Sequence, residues 1–189
     1  MTMRVFVTVG TDHHPFARLI EWVDRWAEPR SEVDLVVQHG SSPKSKWGRN
    51  LELLGATDLR AEYDLADLVV GQVGPGTIFE ANRAGHRPVV VPRDPAFGEV
   101  VDGHQYPFGT FMTAQARCWA ETSEQDFIRR LDMLRRNPLA GRFDAATDGD
   151  SASGAVKRLA EEAVSAPRRG FSLRRAAQMA RKVEGKPDE

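Results

Sequence analysis

Four short apolar runs, each closed by glycine or proline, constrain this chain more than any other feature. Val5-Phe6-Val7-Thr8-Val9 stops at Gly10-Thr11, and Val33-Asp34-Leu35-Val36-Val37 leads into Gln38-His39-Gly40. Leu68-Val69-Val70 runs into Gly71-Gln72-Val73-Gly74-Pro75-Gly76, and Val89-Val90-Val91 ends at Pro92. Most of these positions are apolar without strict alternation, so both faces of each strand are predicted to be buried, as in a parallel sheet. Helical patterns fill the gaps. Phe16, Leu19, Ile20, Val23 and Ala27 recur at helical spacing between Pro15 and Pro29. Thr77 to Ala84 reads as a second helix stopped by Gly85, and Ser123 to Arg136 as a third, with Phe127, Leu131 and Leu134 on one face. Arg117 to Ala120 adds one more strand. Strands alternating with helices predict an α/β fold, a Rossmann-like doubly wound parallel sheet. Its ligand crevice should lie at the carboxyl ends of the strands, where the loops bearing Gly10, Gly40 and Gly74 to Gly76 all fall.

The domain is expected to span residues 1–143, followed by a small, polar linker at 144–154 and a basic helical or mobile tail at 155–189. A length of 189 residues suits one well-buried domain with a little extra. The formal net charge of -1 gives no global field that would favour nucleic acid. Cys118 is the single cysteine, which excludes an internal disulfide and fits a reducing, cytoplasmic setting. No apolar run approaches the roughly 20 residues that span a bilayer, and Met1-Thr2-Met3-Arg4 carries no signal-peptide pattern. Between Glu162 and Glu184 the tail has six basic residues and no acid. That pattern can lie on anionic lipid, stay solvated, or pack on the core or a partner.

The sharpest local signal is Gly71-Gln72-Val73-Gly74-Pro75-Gly76-Thr77 between a strand and a helix. Bare backbone and unpaired N–H groups at a helix start suit a phosphate, although a tight turn alone also uses glycine. The run is no Walker loop, because no Lys-Ser/Thr pair follows, and the dinucleotide fingerprint belongs on the first strand. Thr77-Ile78-Phe79-Glu80 reads either as a capping box or as a carboxylate placed for a ribose diol. His104-Gln105 either contacts a sugar or simply leads into a helix. His13 and His14, in the first glycine loop, are candidate general bases or solvated histidines. The histidines show no metal-ligand spacing, so no metal is expected. Asp148-Gly149-Asp150 matches an Asp-x-Asp pattern but reads as a solvated turn.

Taken in order, these pieces resemble the C-terminal domain of family 28 glycosyltransferases. The resemblance rests on Val5 to Thr11 with Pro15-Phe16 and Arg18-Leu19-Ile20, then Gly74-Pro75-Gly76-Thr77-Ile78 with Glu80. It continues through Val89-Val90-Val91-Pro92-Arg93, Phe97-Gly98-Glu99, Val101-Asp102 and His104-Gln105, covering roughly residues 3 to 136. The nearest likeness is to the small donor-binding catalytic subunits of two-subunit transferases, bacterial exopolysaccharide and eukaryotic dolichol-linked. It implies the C-terminal, donor-binding half of a GT-B fold, binding a UDP-sugar as donor substrate with no cofactor and no metal. Sugar transfer would be inverting, to a lipid-linked acceptor held by a separate membrane-associated subunit that recruits the chain to the inner face of the membrane. By the same resemblance, Gly10 and Thr11 line the diphosphate or the acceptor side, and Gln38 and Gly40 face the nucleotide. Gln72, Gly74, Gly76 and Thr77 surround the phosphates, Glu80 takes the ribose, and His104 with Gln105 meets the sugar. Gln72 replaces a frequent histidine, Val100 and Gly103 replace a usual histidine and aspartate, and His13 and Ala17 replace frequent acids. These departures imply a different sugar, or a non-catalytic, regulatory nucleotide-sugar-binding subunit.

Overall fold

The computed structural model describes residues 2–144. The linker beyond Asp144, the basic tail and Asp148-Gly149-Asp150 lie outside the described residues. The chain folds as β1 (Met3–Thr8), α1 (Ala17–Ala27), β2 (Val33–Gln38), β3 (Arg49–Leu51), α2 (Ala56–Leu65) and β4 (Leu68–Gln72). It continues as α3 (Pro75–Arg83), β5 (Val89–Val91), α4 (Gln105–Ala114), β6 (Trp119–Ala120) and α5 (Glu124–Arg136). All strand pairs are parallel, in the order β3-β2-β1-β4-β5-β6. The expected doubly wound sheet is therefore present.

The two sides of β1 explain its sequence. Val5, Val7 and Val9 pack into one core with Leu19, Val23 and Trp26 of α1 and Phe127 and Leu131 of α5. Phe6 faces the other way, into a smaller core with Val36, Val69, Ala81 and Tyr63 of α2. Side chains alternate across a strand, so an apolar residue at each position is needed to cover both faces. Burial of these residues, at roughly 25 cal/mol per Å² of apolar surface, is the main force holding the layers together.

Two elements escape the apolar pattern. The edge strand β3 contains Arg49 and Asn50 and lies half exposed. In α2 only Glu62 and Tyr63 are buried, too little to show a helical stripe. The boundary of α3 also differs from expectation. The helix begins at Pro75, with extended Gly74 as its N-cap and no side-chain cap, instead of at Thr77. Proline at the first helical position fits because its missing N–H has no partner there anyway. In contrast, Ser123 caps α5 by accepting a bond from the Asp126 N–H at 3.1 Å.

Candidate functional site

β1 lies between β2 and β4, so the chain winds away from β1 in both directions. The carboxyl ends of β1 and β4 therefore flank the switch point, where ligands of such sheets bind. Gly10 follows β1 and adopts φ +80°, a left-handed conformation open to glycine. Gly74 follows β4, and a Cβ there would press against Gln72 at 2.9 Å. Gly76 is different. Its φ is not left-handed, it is exposed, and a Cβ there would meet nothing within 4 Å. Neither backbone nor packing requires glycine at that position, and the bare first turn of α3 leaves its backbone open to an approaching ligand. The Gly76 and Thr77 amides precede the first intrahelical bond of α3, which the Ile78 N–H makes to the Gly74 carbonyl at 3.1 Å. They are the donors a helix start offers an anion.

Behind this opening sits Arg93, fully buried just after β5. Its guanidinium donates to the carbonyls of Val9 (2.9 Å), His14 (2.7 Å) and Glu99 (2.9 Å) and to Gln72 Oε1 (3.0 Å). It also stacks over the Phe16 ring at 4.7 Å. The Arg93 N–H donates to Gln105 Oε1 at 2.9 Å, and Gln105 Nε2 donates to Gln72 Oε1 at 3.2 Å. Three crevice loops are thereby tied to one side chain. Glu99, likewise buried, accepts two bonds from Arg18, at 3.0 and 2.7 Å. Burial lowers the Arg93 pKa, and the charges of Asp12 and Glu99 oppose that shift.

Two aspartate–histidine pairs stand beside the crevice loops. Asp12 Oδ1 accepts from the His14 N–H at 2.9 Å and faces His14 Nδ1 at 2.7 Å. Asp102 Oδ1 faces His104 Nδ1 and also accepts from the His104 N–H at 3.2 Å. Desolvation raises the Asp12 pKa, but hydrogen bonds from His14 and the charges of Arg93 and His14 outweigh it and lower the value. Burial holds His104 below the usual histidine value, against the opposing charge of Asp12. A histidine whose Nδ1–H is held by a carboxylate presents Nε2 as an oriented base. Of the two candidate bases, His14 is the positioned one, while the His13 side chain is 86% exposed. Asp12, His13 and His14 also bring one ligand atom each within 4.8 Å of one another. Such a group can hold a divalent ion, a possibility that histidine spacing alone concealed, although Asp12 and His14 already satisfy each other.

The other predicted residues divide. Gly40 adopts φ +52° beside the β1 loop, and Thr11 is exposed at that loop's tip. Gln38 is buried, bonded through Oε1 to the Thr8 hydroxyl and through Nε2 to the Gly10 carbonyl at 3.5 Å, so it shapes the Gly10 loop from beneath. The Thr77 side chain is buried against Gly71, which leaves its backbone amide for a ligand. Because α3 starts at Pro75, the capping-box reading of Thr77 and Glu80 is corrected: Glu80 lies beyond the first turn and pairs with Arg83 at 2.9 Å and Arg60 at 3.5 Å. Gln105 is buried with both ends of its amide used, so sugar contact from it requires rearrangement. Sequence reasoning does not single out Asp12, Arg18, Arg93, Glu99 or Asp102 as site residues. Arg93 lies two residues past β5, after the proline that closes the apolar run, where nothing local marks it as buried.

Fold and crevice define the C-terminal half of a GT-B architecture. The chain belongs to the glycosyltransferase family 28 C-terminal domain family, whose pattern it matches over residues 4–162. Among solved structures it is similar to MurG of Acinetobacter baumannii, at 17% identity and TM-score 0.54, over 75% of this chain and 43% of that one. It is also similar to ALG13, at 16% identity and TM-score 0.53, over 84% of this chain and 94% of that one. A third is S. aureus MnaA in complex with UDP, at 12% identity and TM-score 0.50, over 90% and 48%. The chain thus spans less than half the length of MurG and MnaA. No curated protein matches it in sequence.

Proposed function

We propose that the chain is the donor-binding half of a glycosyltransferase, taking a nucleoside-diphosphate sugar, specifically a UDP-sugar, and passing the sugar to a lipid-linked acceptor on a membrane-associated partner subunit. One observation carries the reading: Gly76 faces open space at the start of α3, at the switch point of a family 28 domain. The amides of Gly76 and Thr77 would receive the diphosphate, and the charge building up on the leaving nucleotide would be stabilised there without a metal. Removing one such preorganised donor typically costs about 3–4 kcal/mol of transition-state stabilisation.

In this scheme the acceptor hydroxyl attacks the anomeric carbon directly and inverts it. His14 is the base we favour, since Asp12 orients its ring. Glu80 takes the ribose hydroxyls by exchanging its ion pairs with Arg60 and Arg83, which exposed geometry makes inexpensive. Support for a UDP ligand comes from the likeness in fold to a protein solved with UDP. Among the described residues no helix is long and apolar enough to cross a membrane, so attachment to the inner face of the membrane would come through the partner.

The test is calorimetric titration of the purified chain with UDP, using NAD as control and Glu80→Ala as the site variant. The reading expects UDP binding, weakened tenfold or more in Glu80→Ala and unaffected by EDTA. A folded wild-type chain that ignores UDP, with or without an acceptor-binding partner, would overturn it.

A further inference from the structure

Gln72 is the last residue of β4, and its side chain lies across the switch point. A Cβ placed on Gly10 or on Gly74 would collide with Gln72 Nε2, so this nitrogen occupies the gap between the two glycine loops. Which end of the amide faces that gap follows from donor chemistry. Arg93 has hydrogen-bond donors only, so the atom it meets at 3.0 Å must be the amide oxygen. Gln105 agrees, because the Arg93 backbone N–H claims its oxygen and turns its NH2 onto the same Gln72 oxygen at 3.2 Å. Arg93, Gln105 and Gln72 form a closed ring of bonds that permits one orientation. The Gln72 NH2 group is thereby aimed between Gly10 and Gly74.

We propose that Arg93 is a positioning residue for the donor: acting through Gln72, it directs an amide NH2 at an anionic phosphate oxygen of the bound nucleotide. The inference rests on the donor-binding reading above and adds to it the residue that sets the polarity of the site. Arg93 itself is fully buried and never reaches the ligand. Its guanidinium is spent on Val9, His14, Glu99 and Gln72, so it fixes the loops after β1, β4 and β5 relative to one another. A charge held this way costs desolvation, which is offset only if every donor is well placed. The orientation it imposes matters because a crevice-facing carbonyl oxygen would repel a phosphate that a crevice-facing NH2 attracts.

The experiment compares UDP with uridine, which lacks the phosphates, on the wild type, Gln72→Met, Gln72→Glu, Gln72→His, Arg93→Lys and the double variant Gln72→Met/Arg93→Lys. Gln72→Met should lose tenfold or more in UDP affinity, and Gln72→Glu more again, while uridine affinity stays within twofold in both. Gln72→His, which keeps a ring N–H donor, should recover most of the loss. Arg93→Lys should lower UDP affinity while sparing uridine, and the double variant should be no worse for UDP than Gln72→Met alone, because both changes remove the same contact. UDP affinity in folded Gln72→Met within twofold of wild type would overturn the amide's role, and additive losses in the double variant would overturn the relay. Should Arg93→Lys fail to fold, Gln105→Met probes the ring from its other donor, with the same non-additive result expected. A wild type that binds no UDP would sink the donor reading and this inference together. UDP binding that is indifferent to Gln72 would sink this inference alone.

Discussion

The two walls of the crevice are built on opposite plans. On one side, the loops after β1, β4 and β5 are bound together through Arg93, with Gln38, Gln72 and Gln105 filling the spaces between them. On the other, the first turn of α3 is bare: Pro75 without an N–H, then Gly76 with open space where a side chain would stand. In the first wall the side-chain bonds run between protein groups and set its shape, with the Gln72 NH2 left over for the crevice. A wall whose donors face outward is built for something that is not protein. The contrast teaches that glycines in one crevice can have separate causes, since Gly10 answers to its backbone conformation and Gly76 to neither backbone nor packing.

Substitutions should separate the walls by what they damage. The largest effect is expected for Arg93→Met, which strips donors from the carbonyls of Val9, His14 and Glu99 and from Gln72 in a buried setting. Urea denaturation should show a loss of about 4 kcal/mol, given roughly 1–3 kcal/mol for each buried acceptor left unmet and partial relaxation. A loss below about 1 kcal/mol would mean that the locked wall is not locked. Gly10→Ala comes next. It combines a left-handed backbone at φ +80° with a collision against Gln72, and should cost about 2 kcal/mol together with UDP binding.

His86 offers a control remote from both walls. It is buried, its Nε2 faces the Tyr63 carbonyl at 3.0 Å, and its Nδ1 has no partner. Burial and the charge of Arg142 lower its pKa from the usual histidine value of 6.5. The unfolded chain therefore binds the extra proton first, so this group's contribution is intact above pH 6.5 and is lost as the pH falls below it. Thermal melts of wild type and His86→Gln should differ least in acid, where the wild type has given up this advantage, with the UDP binding enthalpy unchanged. A gap that widens as the pH falls would contradict this.

Much of this architecture is legible in the sequence, for reasons that differ by element. The strands β1, β2, β4 and β5 announce themselves because burial on both faces demands unbroken apolar runs. By contrast, β3 and α2 are half exposed and leave no such trace. The glycine loops are equally visible, because glycine is read directly. The network behind them is not. Arg93 becomes a hub only when His14, 79 residues away, and Val9, 84 residues away, are folded against it, and nothing local signals such long-range partners. The start of α3 is read two residues late for a local reason: a threonine–glutamate pair imitates a cap where proline and an extended glycine have already begun the helix. The resemblance to family 28 domains supplied the order of the motifs but not how the side chains divide between ligand and scaffold.

The most direct test of the bare wall is Gly76→Ala, followed by thermal melting and by calorimetric titration with UDP. Open space around the new methyl group and the higher helix propensity of alanine predict stability unchanged or raised by up to about 1 kcal/mol. The same methyl group would stand where the diphosphate must approach the Gly76 and Thr77 amides, so UDP affinity should fall tenfold or more. A variant that melts like the wild type and binds UDP equally well would contradict the account, because Gly76 would then be answering to no ligand at all.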